Sequence, residues 1–272
     1  MKLANLVINE KNCACVWKDG EWINVSGQAT LDEIISGREV NPDLGEKVFG
    51  EPAFGNVVDC PGKLVCVGLN YQSHADKVDL KRADTPILFS KFADALVPTK
   101  TEIQLPEWED SYDYEAELVI VIGKTAWNVS EADALDYVFG YTAGNDVSVR
   151  DPQKRTSQWL IGKTMPGFGP CGPCVVTKDE LDPVGGVGIK SYVNGELRQD
   201  GNTNEMIFSC AEIISYASRY IRLEPGDLIF TGTPSGVGLE KKEKNWLKPG
   251  DVVDIEIEKI GTLTNLFVGV LS

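Results

Sequence analysis

Short apolar runs, rich in valine and isoleucine and closed by glycine or a turn, recur along most of the chain. Runs of that length and β-branching predict strands. The clearest lie at residues 64–67, 118–122, 174–176, 188–194, 228–231 and 252–257. Near the N-terminus, residues 13–17 and 22–25 flank Lys18-Asp19-Gly20, a turn signal that predicts a hairpin. Helical spacing is rarer. Residues 30–37 carry a capping-box spacing, Thr30 to Glu33, and end on Gly37. Residues 131–137 follow Ser130, a good N-cap. Residues 204–220 place Ile207, Phe208, Ala211, Ile214, Ser215 and Ser218 near one face. The pattern predicts a mainly β fold with some α, a sandwich, roll or barrel and not a doubly wound α/β sheet. Residues 1–55 read as a small N-terminal β-rich domain and residues 60–272 as a larger one. Residues 41–62, rich in proline, glycine and charge, read as a linker.

With 272 residues and 42% apolar side chains, the chain can bury an ordinary soluble core. No apolar run approaches the roughly 20 residues of a membrane span. The first residues lack the apolar core and cleavage site of a signal peptide. The expected location is the cytoplasm, with no membrane partner. The net charge of −15 argues against nucleic acid, which needs a basic patch. It also means that an anionic substrate needs a bound cation or a local cluster of Lys and Arg. Seven cysteines, an odd number, suit reduced thiols. Cys171-Gly172-Pro173-Cys174 has the letters of a thioredoxin-type pair. That chemistry wants the first cysteine at a helix N-terminus. Here Val175-Val176-Thr177 follows as a strand, so the pair is expected to be inert. No second Cys pair or Cys/His pair has zinc-ligand spacing.

The strand predicted at 118–122 is preceded by Asp113-Tyr114-Glu115-Ala116-Glu117. Side chains alternate along a strand, so Asp113, Glu115 and Glu117 share a face, with the two glutamates roughly 7 Å apart at Cα. Like charges that close disfavour ionisation unless something neutralises them. Either this is a solvated face of an edge strand, or it begins a site for a hard divalent cation, which favours carboxylate oxygens. Asp146, in Asn145-Asp146-Val147-Ser148-Val149-Arg150-Asp151, offers a third oxygen ligand; an Asx-turn or N-cap is its plainer use. His74 is the only histidine, just past the strand at 64–67. It is either an ordinary surface or core residue or a proton-transfer group. Lys163 and Arg150 can contact a substrate carboxylate or an enolate oxygen, or can be solvated charges. The segment from Pro225 to Gly238 reads as a strand ending in a glycine-rich loop whose N–H groups could hold an oxyanion. It lacks the spacing of a nucleotide-binding loop.

Several motifs follow one another in a telling order. They are Gly68-Leu69-Asn70-Tyr71 with His74, Pro86-Ile87-Leu88-Phe89-Ser90-Lys91, Asp113-Tyr114-Glu115-Ala116-Glu117, and Asn145 to Asp151 with Gln153. Gly162-Lys163, Val193-Asn194-Gly195-Glu196, Gly226-Asp227 and Thr231-Gly232-Thr233-Pro234-Ser235-Gly236-Val237-Gly238 complete the series. The set, over about residues 60–270, resembles the fumarylacetoacetate hydrolase family. The resemblance implies a catalytic domain of mixed β-roll or sandwich type in a homodimer. It implies Mg²⁺ or Mn²⁺, in some members Ca²⁺, held by Glu115, Glu117 and Asp146, and it gives Asp113 no ligand role. It implies His74 as the base that activates water and Lys163 as positive charge at the enolate or carboxylate. It implies Arg150, Gln153, Thr233 and Asn70 as substrate-binding residues. Family members cleave or rearrange small anionic 2-oxo and 1,3-dioxo acids, where a cation stabilises the enolate.

Two positions depart from the family pattern. Many hydrolytic or decarboxylating members carry a glutamate three residues after the histidine; this chain has Lys77, with Asp76 one residue earlier. A cation there lowers the histidine's pKa. Where the family often has Asp-Thr-Phe after the lysine, this chain has Pro166-Gly167-Phe168. The expected activity is metal-dependent C–C hydrolysis of an acylpyruvate- or fumarylpyruvate-type acid. The alternative, which gains from Lys77, is isomerisation or decarboxylation of a hydroxymuconate- or oxaloacetate-type acid. A non-catalytic metal-binding protein is the reading from another class.

Overall fold

The computed structural model describes residues 1–73 and 84–269. His74, Asp76 and Lys77 lie outside the described residues. Among the described residues, the larger sheet runs in spatial order through Glu46–Lys47, Glu21–Asn24, Lys11–Lys18, Lys2–Ile8, Gly169–Thr177, Val138–Asn145, Ala116–Ile122, Leu228–Phe230, Leu64–Gly68 and Ile87–Lys91. Most neighbours are antiparallel, while Leu228–Phe230 and Leu64–Gly68 run parallel. A second sheet orders Glu196–Asn202, Gly188–Val193, Val252–Ile257, Gly261–Gly269 and Glu102–Leu105. This is the mixed, mainly β architecture that the apolar runs predict.

Ala116–Ile122 is a central strand, and its burial explains its sequence. Leu118, Ile120 and Ile122 share one buried apolar cluster with Ile189, Ile255 and Phe267 of the second sheet and with Ile213 and Ile214 of the helix Cys210–Ser218. Val119 and Val121, on the other face, belong to a second buried cluster with Leu31, Ile34, Val175 and Phe230. A strand covered on both faces needs apolar side chains at successive positions, so polar alternation is lost.

The N-terminal hairpin turns at Asp19 and Gly20, both with positive φ (50° and 87°), the backbone that matches the twist of the flanking strands. Lys2 lies opposite Val176 and Leu3 opposite Val175, so the N-terminal strands extend the larger sheet. Residues 41–62 are not a free linker. Glu46–Lys47 pairs with Glu21–Asn24, and Ala53–Phe54 pairs with Lys2–Ile8. These strands are too short to show a period in the sequence. The helix expected from residue 204 begins only at Cys210. Ser209 caps it and forms a capping box with Glu212, and that local bonding sets the start of the helix later than the periodicity suggests.

Cys171 and Cys174 lie within Gly169–Thr177 and are buried in different clusters on the two faces of the sheet. Burial pushes the Cys174 thiol up to about 11 and raises that of Cys171. Neither is a thiolate near neutral pH, which removes redox chemistry of the thioredoxin kind.

Candidate metal centre and active site

The acidic run is not one continuous strand. Tyr112–Asp113 pairs with Ser148–Val149 as a separate ribbon, while Ala116–Ile122 joins the larger sheet. Side chains replace ladder bonds at the break: Glu115 N donates to Asn145 Oδ1 (2.9 Å) and Ala116 N to Gln199 Oε1 (3.0 Å). Glu115 and Glu117 nevertheless meet Asp146. One carboxylate oxygen from each of the three lies within 4.8 Å of the others, and all three residues are buried. The solvated-edge alternative therefore fails. Asp146 N also donates to Glu115 O (2.9 Å), which fixes the ligand loop against the acidic segment.

Three buried cations surround these acids. Lys163 Nζ is 2.9 Å from Glu115 Oε2 and 2.7 Å from Asp146 Oδ2. Lys91 Nζ is 2.6 Å from Asp146 Oδ1 and donates to the carbonyls of Val147, Lys163 and Phe168. Arg150 Nη2 is 2.7 Å from Asp113 Oδ2 and 2.6 Å from Glu115 Oε1. Burial alone would lower the pKa of Lys163 and Arg150. Asp146 and Glu115 outweigh it at Lys163, and Asp113 and Glu115 at Arg150, so both are raised and stay cationic.

Glu117 is the odd carboxylate. Among the described residues it has no cation within ion-pair distance; Gly232 N–H donates to its Oε2 at 2.7 Å. Burial, then the charges of Asp146 and Glu115, push its pKa well above the carboxylate range. Gly232 has φ 98°, and a Cβ there would meet Asn70 Cβ at 2.7 Å, so glycine is what lets this N–H approach Glu117. Four buried carboxylates, with Asp113 included, thus face three buried cations. The acid surplus falls at Glu117. Converging, buried, all-oxygen donors with that surplus fit a hard divalent cation such as Mg²⁺ or Mn²⁺.

A cavity of about 390 Å³ opens on the cluster, lined by Glu115, Glu117, Arg150, Gln153, Lys163 and Thr233 among others. Gln153 Oε1 accepts from Arg150 Nη1 (3.1 Å). A Cβ on Gly162 would meet the Gln153 backbone N at 2.5 Å, so the Leu160–Gly162 turn packs closely on the helix Arg150–Lys154 and sets Lys163 beside Gln153. The Thr233 hydroxyl donates to Ala116 O (2.8 Å) and accepts from Gln199 Nε2 (2.7 Å), so it is bonded on the protein side.

Asn70 stands apart from the expected substrate contacts. It is fully buried; its amide donates to Thr231 O (2.7 Å) and Phe208 O (3.0 Å) and accepts from Phe208 N (2.8 Å). Its polar atoms are used within the protein, so it holds the chain behind Gly232 and not a substrate. The glycine-rich loop is likewise no open oxyanion cradle. Its N–H groups go to Glu117 from Gly232, to Glu240 from Gly236, and to Asp113 from Gly238.

Two working residues went unassigned in the sequence reading. Lys91, a lysine closing the run Ile87-Leu88-Phe89-Ser90, neutralises Asp146 from behind. Asp113 is a tether: it accepts from Gly238 N (2.7 Å), Leu239 N (2.9 Å) and Arg150 Nε (2.8 Å).

Comparison with known proteins identifies the chain's relatives. The fumarylacetoacetate hydrolase C-terminal family matches residues 63–268. A human protein, the mitochondrial oxaloacetate tautomerase FAHD2A, is 41% identical over 244 residues, covering 89% of this chain and 77% of its own. A fumarylacetoacetate hydrolase from Exiguobacterium antarcticum superposes with a TM-score of 0.89 at 35% identity, over 99% of this chain and all of that one. The 2-hydroxyhepta-2,4-diene-1,7-dioate isomerase from Mycobacterium marinum gives 0.78 at 33% identity, over 99% and 98%. The chain belongs to the fumarylacetoacetate hydrolase family.

Proposed function

We propose that this chain is a divalent-metal-dependent tautomerase or isomerase of a short 2-oxo acid, with oxaloacetate the first substrate to test. The names of the human relative and of the M. marinum structure support that reaction class. One observation of the site carries it furthest. The cavity-lining carboxylates among the described residues, Glu115 and Glu117, both belong to the acidic triad, and beside them the inner polar wall carries the cations Arg150 and Lys163, the Gln153 amide and the Thr233 hydroxyl. Such a wall stabilises an enolate.

Glu115, Glu117 and Asp146 would hold the cation, which when bound withdraws electron density from the 2-oxo group. The chain's own residues supply the rest. Arg150 and Gln153 orient the substrate carboxylate by directional N–H donors. Lys163 keeps its proton and places positive charge where the enolate forms. Its ammonium lies 5.1 Å from the centre of the Phe89 ring, and Phe89 and Trp159 make part of the wall apolar, which strengthens these charges. Because Lys163 and Arg150 hold their protons, the transfer at C3 falls to another group. His74 is the proposed one, and it lies outside the described residues.

The hydrolytic reading takes second place, supported by the name of the Exiguobacterium structure and weakened by Lys77 where a glutamate would help activate water. Among the described residues no helix is long and apolar enough to cross a membrane. The human relative is named as mitochondrial, so the proposed compartment is cytoplasm or mitochondrion.

The test is enol-oxaloacetate with Mg²⁺ or Mn²⁺, followed by enol absorbance and by coupled pyruvate assay, with acetylpyruvate in parallel. Faster enol loss without pyruvate, abolished by chelator, supports tautomerisation. Pyruvate from acetylpyruvate would instead restore the hydrolase, and pyruvate from oxaloacetate a decarboxylase.

A further inference from the structure

Two lysines on the same cavity take no part in the chemistry above. Lys154 ends the helix Arg150–Lys154, and Lys244 lies in the loop beyond the turn Gly238–Glu240; both line the cavity and both are exposed at its rim. They reach it from separate elements. Lys244 Nζ donates to Leu239 O, and neither lysine pairs with an acid among the described residues. Partial burial and then the charges of Arg150 and Lys244 lower the Lys154 pKa, with Asp151 and Asp113 pulling the other way. In a chain of net charge −15, two lysines gathered at one opening, with no acid paired to either among the described residues, are out of character. Their mutual repulsion is relieved when an anion joins them.

The loop that carries Lys244 is also held in place. Asp113 accepts from Gly238 N and Leu239 N and pairs with Arg150 through its other contacts. One buried carboxylate therefore registers the rim lysine against the inner guanidinium.

We propose that Lys154 and Lys244 bind the second carboxylate of a dicarboxylic 2-oxo acid, whose first carboxylate and 2-oxo group lie at Arg150, Gln153 and the triad. This rests on the 2-oxo acid reading above. It makes the pair a specificity device: exposed ammonium groups add affinity for a dianion, in a salt-sensitive way, without touching the reacting atoms.

The test uses two unreactive ligands and the whole Mg²⁺-loaded chain, by calorimetry. Oxamate presents one carboxylate beside a carbonyl; N-oxalylglycine presents the same end plus a second carboxylate. In Lys154→Gln/Lys244→Gln the Kd for N-oxalylglycine is expected to rise about tenfold, the scale of one lost charge-assisted contact. The Kd for oxamate is expected to move by less than about twofold, and Lys154→Arg/Lys244→Arg to restore dianion binding. Equal weakening of both ligands, or weakening of neither, overturns the proposal. Wild-type protein that binds neither ligand overturns the 2-oxo acid reading itself and the pair's role with it, a result distinct from the other two.

Discussion

The inner wall and the rim of the cavity are both rich in charge, and they handle it in opposite ways. Inside, Lys163, Lys91 and Arg150 are each within 3 Å of a carboxylate, and the charges nearly cancel. At the rim, Lys154 and Lys244 are exposed and face other cations. Buried charge survives only when paired, so the inner wall is rigid, and its one surplus, at Glu117, marks where a cation belongs. Exposed charge needs no partner to fold, so the rim is free to choose a ligand. On the function and the rim role proposed above, chemistry belongs to the inner wall and selection to the rim.

Breaking the inner wall should have the largest effect. Glu117→Gln is expected to lower enol-oxaloacetate turnover to the uncatalysed rate, read by enol absorbance in saturating Mg²⁺. Lys163→Met should cost about 10²–10³ in kcat, typical for the loss of one preorganised charge at an oxyanion, with little change in N-oxalylglycine affinity. Asp113→Ala joins the two regions in one variant. It leaves Arg150 short of a buried partner and releases Gly238 and Leu239, so urea unfolding should report a loss of about 3–5 kcal/mol. Dianion binding should weaken along with it. The rim variants come next, about tenfold on dianion affinity as argued above. The smallest effect is expected at the cysteines. Alkylation at pH 8 followed by mass mapping should modify exposed Cys60 and spare Cys174, whose thiol is held at about 11, and buried Cys171. Activity should not change.

The sequence showed some of this because local pattern fixes it. Glu115 and Glu117 sit beside an apolar run too β-branched to be anything but a strand, and Asp146 follows glycines that let backbones approach. Those features point to a cation before any partner is known. The tethers were hidden because their partners are remote. Asp113 meets Gly238, Leu239 and Arg150, and Lys91 meets Asp146 and the Phe168 carbonyl, only after the sheets assemble. The same reason turned the glycine-rich loop from an expected oxyanion cradle into a frame for Glu117 and Asp113. Asn70 looked available for substrate by its motif, yet its amide closes on Thr231 and Phe208 from distant segments. Residues 41–62 looked like a linker because strands of two residues carry no period.

One measurement bears on the central claim without using activity. Lys163 Nζ lies between Glu115 and Asp146, so the cluster is either a divalent-cation site or one that Lys163, with Lys91 and Arg150, already neutralises. Mn²⁺ titration followed by electron paramagnetic resonance separates the two. The expected result is stoichiometric binding by wild type and by Lys163→Met, lost in Glu117→Gln. Wild-type protein that leaves Mn²⁺ free in solution, with binding gained only when Lys163 is removed, would contradict it.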